Sequence, residues 1–95
     1  VSEPEIVALA AHTYAVAEGR LIAAMERELA AVRARCAMVR RHAAAYVAGG
    51  PGLSGDELVA SAAVMDEMRS AERAVDAARQ DIQESHLQWT HAVSR

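Results

Sequence analysis

The residues of this chain that could do chemistry are its histidines, one cysteine, two nearby glutamates and a glycine-rich string, and spacing decides what each can do. His86 and His91 are five apart, so they do not share a helix face as ligands one turn apart would. His12 is expected near the same open end of the molecule as His91, yet no Cys, Asp or Glu completes a zinc set there. These histidines read as structural or surface groups, and no metal or other cofactor is expected. Cys36 is the single cysteine. It excludes an intrachain disulfide, permits a reducing compartment, and falls on an apolar seam with no base beside it, as a buried structural thiol does. Glu26 and Glu28 are two apart and point to different helix faces, which removes them as an acid–base pair. The string Gly49-Gly50-Pro51-Gly52-Leu53-Ser54-Gly55 lacks the following Gly-Lys-Ser/Thr of a phosphate loop and reads as a turn. No acid, base and nucleophile come together, so an enzyme is not expected.

What remains is surface. Arg33, Arg35, Arg40 and Arg41 form a basic stretch, while from residue 55 onward the chain carries eight acidic residues against four arginines. Solvated faces with pairing between the arms account for such charges, and so does a docking surface for a protein partner. Nucleic acid is not expected, because the net charge is −3 and the acidic half repels phosphate. Trp89, the only tryptophan, fits core packing. In a two-helix molecule its outer edge also needs cover from a partner or a second copy.

The elements that must position these residues are helices. Alanine supplies 23 of the 95 residues and phenylalanine is absent, a composition suited to thin, close-packed helices rather than a thick core. All ten basic residues are arginine, which a GC-rich genome explains. The spacing predicts helix 1 over about 3–48, with Ser2 and Glu5 as a capping box and Pro4 tolerated in the first turn. Within it Ile22, Met25, Leu29, Val32, Cys36, Val39, Ala43 and Tyr46 recur at alternating three- and four-residue steps, the pattern of a coiled-coil seam. Upstream, Ile6, Leu9, Thr13 and Val16 form a second seam out of phase with the first. The change falls around Glu18-Gly19-Arg20, where a discontinuity in the supercoil is expected.

The turn follows at 49–54. Gly49 and Gly50 can supply positive φ for a helix C-cap, and Pro51 forbids continuation. Ser54 starts helix 2, over about 55–94, with Glu57 as its box partner and Leu53 and Leu58 placed to form a hydrophobic staple. In helix 2, Met68, Val75, Ile82 and Trp89 recur every seven residues with Ala71 and Ala78 between them; Leu58 and Met65 extend the pattern, and the next line is polar at Glu72, Arg79 and His86. A short connection makes the helices antiparallel neighbours, roughly 60–70 Å long. The expected fold is therefore all-α, a single antiparallel two-helix coiled-coil hairpin. Folding about Gly52 sets Tyr46 against Leu58, Val39 against Met65, Cys36 against Met68, Leu29 against Val75 and Ile22 against Ile82. Such a hairpin has limited burial, and a homodimer forming a four-helix bundle would stabilise it. No unbroken apolar run approaches the length of a membrane span, and the first residues lack the basic flank and cleavage site of a signal peptide. The chain opens on valine, as a piece of a longer protein would.

The second half, with Gly52-Leu53-Ser54, Glu57-Leu58, Val75, Ala78, Ile82 and Trp89, resembles the distal half of the FliJ/YscO proteins of flagellar and virulence type III secretion. The resemblance covers about 40 residues around the turn and helix 2, and helix 1 by shape alone. Family members are commonly longer. The resemblance implies a cytoplasmic coiled-coil stalk, peripheral at the inner membrane, that sits in the pore of the hexameric export ATPase, touches the export gate and cycles secretion chaperones. A rival is the W-x-G hairpin family of type VII secretion, of similar length; that family carries its tryptophan at the turn, whereas Trp89 lies at the opposite end. A small secretion chaperone is a third reading.

Overall fold

The computed structural model describes residues 3–94. Two helices account for nearly all of them: α1, Glu3–Val47, and α2, Gly55–Val93. They form a helical hairpin measuring 70 × 18 × 14 Å. Its radius of gyration is 21.0 Å, against about 12 Å for a compact chain of this length. The capping role expected of Ser2 lies outside the described residues.

The turn is built from local chemistry. Gly49 has φ 75°, the left-handed conformation that glycine adopts without a Cβ penalty. Its N–H donates to the Tyr46 carbonyl and that of Gly50 to the Ala45 carbonyl, both at 3.0 Å. Together these form a Schellman motif, which satisfies two carbonyls that the end of α1 would otherwise leave unpaired. A Cβ on Gly50 would lie 3.0 Å from the Ala45 carbonyl oxygen, so the second glycine answers to close approach rather than to φ. Ser54 then caps α2 from extended backbone, its Oγ accepting from the Glu57 N–H at 3.2 Å. The reciprocal half of the box differs from expectation: the Glu57 carboxylate accepts from the Ser54 hydroxyl at 3.2 Å. Leu53 and Leu58, the expected staple pair, are both largely exposed.

The α2 face that meets α1 is the expected one from Met68 onward, whereas Leu58, expected to extend it opposite Tyr46, is 56% exposed. Met68, Ala71, Val75, Ala78, Ser85 and Ala92 are buried, with Ile82 and Trp89 half-buried on the same alternating three- and four-residue line. On α1 the expectation fails. The buried residues are Ala10, Ala17, Ala31 and Met38, and Tyr14, Leu21, Ala24, Glu28, Arg35 and His42 are half-buried on the same line. The row expected as the seam lies one position round the helix and faces outward: Ile22 is 57% and Val39 56% exposed, and Met25, Leu29, Cys36, Ala43 and Tyr46 are exposed as well. Only Val32, half-buried, edges the cluster of Ala31, Met68 and Ala71. Cys36 is therefore a free, exposed thiol rather than a buried one, and Met68 packs with Ala31 where Cys36 was expected.

Size complementarity explains the choice. The α2 seam presents methionine, valine, isoleucine and tryptophan, and alanines opposite them let the helix axes approach while these side chains fill the gap. The alanine line also keeps one seven-residue phase through Gly19, so the expected discontinuity does not arise: α1 is continuous from Glu3 to Val47, and space is open beside Gly19. Averaged over an 18-residue window, α1 is long and apolar enough by length and composition to cross a membrane. Abundant alanine raises the average without producing an unbroken apolar run. In the hairpin, the alanine line of this helix packs on α2.

Candidate interaction surface

A polar bridge that spacing alone does not reveal ties the two arms. Arg27 donates from Nε to Glu67 Oε1 at 2.7 Å and from Nη2 to Glu67 Oε2 at 3.1 Å; Nη2 also reaches Ser70 Oγ at 2.9 Å. A forked guanidinium matched to a carboxylate is the strong geometry for such a pair. The hydrogen bond, then the attraction of opposite charge, raises the Arg27 pKa further above its ordinary value. The Glu67 carboxyl is held below its ordinary range by the hydrogen bond from Arg27, with partial desolvation opposing and charge attraction adding to the effect. The bridge became legible only once the alanine line was known to be the seam, because Arg27 and Glu67 then flank it on the same side.

Toward the open end, the Tyr14 ring meets His86 with centroids 5.8 Å apart and planes inclined by 54°. These two residues line an open groove of about 480 Å³ with Ile82, Gln83 and Leu87. A second, more polar groove runs beside His12, Arg20, Asp81 and Glu84. His91 lines a third beside Ile6 and Leu9. His12 and His91 thus stand at the same end but in different grooves, and among the described residues no group of three or more His, Cys, Asp or Glu is placed to hold a metal.

The basic stretch does not form one patch. Arg33 and Arg40, seven apart, share an exposed row; Arg41 is exposed on another, and Arg35 is half-buried on the seam line. Trp89 is half-buried, its packing shared between the seam and solvent. The most extensive feature is apolar. The outward row from Ile22 to Tyr46 follows α1 for about 36 Å at 1.5 Å per residue, and Leu58 on α2 adds exposed apolar surface near the turn. Residue spacing identified this row correctly as a helical stripe but assigned it to the wrong neighbour. A rod with an apolar row and shallow grooves can bind along its length. No family model, curated protein or solved structure matches the chain.

Proposed function

We propose that the protein is a non-catalytic helical hairpin that works by binding protein, in the stalk or adaptor role toward a type III export ATPase that its resemblance to FliJ/YscO proteins implies. The observation that carries the reading is the 70 × 18 × 14 Å rod: two helices held side by side resist bending better than one, and the section is slender enough for a ring pore. In this role the arms coil around each other, and the export gate and secretion chaperones are further partners. The site of action is the cytoplasmic face of the inner membrane. Arg33, Arg40 and Arg41 orient the rod electrostatically toward an acidic partner, with Arg35 and Trp89 contributing less because each is half-buried.

The test mixes the purified protein with the export ATPase of its own secretion system at low salt. Binding that weakens as salt is added is expected, with increased ATP turnover through better ring assembly. Reversing Arg40 and Arg41 to glutamate should weaken it. Absence of binding at low salt removes the stalk role, and capture of a second, W-x-G hairpin instead would move the protein to the rival family.

A further inference from the structure

The hairpin leaves a large surface uncovered. A compact folded chain of 10.1 kDa exposes about 5,300 Å², whereas this one exposes 6883 Å². The surplus of about 1,600 Å² exceeds the roughly 800 Å² that each partner contributes to an interface of standard size. The core is thin as well: among the described residues, six of the nine buried apolar ones are alanine. The large aliphatic side chains of α1 stand instead on the outward row.

We propose that this row is a self-association surface, and that its occupant is the same row of a second copy of the chain, running antiparallel about a two-fold axis to give a four-helix assembly. The pattern of side chains selects both the occupant and the direction. Antiparallel pairing of the whole row sets Ile22 against the second copy's Tyr46, Met25 against Ala43, Leu29 against Val39 and Val32 against Cys36, so each residue of the row meets another of the row. Charge is polarised along the same helix. Glu26 flanks the first half of the row and Arg40 the second, and both are exposed. The antiparallel register brings Glu26 of one copy beside Arg40 of the other, twice by symmetry. A parallel register separates Glu26 from Arg40 and sets Arg35 of one copy beside Arg40 of the other, with Glu28 near Arg33 as its one favourable contact. Among the described residues neither Glu26 nor Arg40 has an ion-pair partner inside the hairpin. Arg33 and Arg35 approach their own symmetry mates near the axis. This is a cost, and the exposed Arg33 can relieve it by carrying its guanidinium into solvent. The inference does not rest on the stalk role: it engages Arg40, which that role turns toward an acidic partner, and it is tested on the chain alone with no ATPase present.

Sedimentation equilibrium on the full chain measures mass without assuming shape, and a dimer that dissociates on dilution is expected. A chain that stays monomeric at every concentration leaves the row for a different protein and overturns the proposal. Glu26→Arg and Arg40→Glu should each raise the dimer dissociation constant by about tenfold or more, and the double variant should recover most of the loss. Both positions are exposed, so circular dichroism of each variant should remain helical. Failure of the double variant to recover affinity also overturns the pairing. Direction is read with a short bis-maleimide. Cys36 of the two copies stands about 10–12 Å apart in this register and should be bridged. A lone cysteine moved to position 22, in Cys36→Ser with Ile22→Cys, should not be bridged, because its two copies are then about 36 Å apart. Bridging at position 22 would show a parallel pair and contradict the proposal.

Discussion

Arg27 and Glu67 hold the two arms together through a forked contact, 2.7 Å and 3.1 Å long, whose second arm is shared with Ser70. The pair is exposed to solvent, so its weight lies in setting register as much as in stability. Its pH dependence has a definite sign. The folded pKa of Glu67 lies below its unfolded value. Its contribution is therefore fully present above the ordinary carboxylate range and is lost as pH falls through the depressed folded value. Melting temperature followed from neutral to strongly acidic pH should fall less for Glu67→Gln than for the parent over that window. Parallel curves for the two proteins would mean that the bridge does not persist in solution.

Two glycines should respond in opposite directions. Gly49→Ala places a Cβ at φ 75° and should cost about 1–2 kcal/mol. Gly19→Ala sits inside α1 with open space around the new methyl group and should gain about 1 kcal/mol. Urea unfolding of both variants checks the pair, and destabilisation by Gly19→Ala would contradict the open space beside Gly19.

The start of α2 rests on Ser54. Removing the hydroxyl that accepts from the Glu57 N–H should cost about 0.5–2 kcal/mol in Ser54→Ala. A thermal unfolding curve superimposable on the parent's would show that the cap is not used in solution.

The turn and the helix ends were legible in the sequence because they depend on strictly local chemistry. Ser54, Gly49, Gly50 and Pro51 each impose one backbone requirement, and all of these agree. The α2 seam was legible because its large residues repeat every seven and the seam uses them. The α1 seam was not, because a reading that ranks isoleucine, leucine and methionine above alanine takes the bulkier of two adjacent stripes as the buried one. Close approach of two helices reverses that ranking where the other helix supplies the bulk. The misplacement carried Cys36 inside and hid the alignment of Arg27 with Glu67. The arginine stretch was visible as a charge run, but its division among three rows follows only from the seam.

Ser61 offers a gain rather than a loss. Its Oγ is buried without a hydrogen-bond partner, and such a group costs about 1–3 kcal/mol. Ser61→Ala removes the unsatisfied hydroxyl and improves helix propensity, so it should raise stability by about 1 kcal/mol or more. A lowered melting temperature would mean that water or a neighbouring carbonyl satisfies this hydroxyl in solution.

The central structural claim is that the alanine line of α1, not its aliphatic row, faces α2. Nuclear Overhauser contacts of the Met68 methyl group test it most directly. Cross-peaks from this methyl to the Ala31 and Ala71 methyl groups are predicted, since the three side chains form one buried cluster with Val32 at its edge. Cross-peaks from Met68 to Cys36, with none to Ala31, would contradict the account.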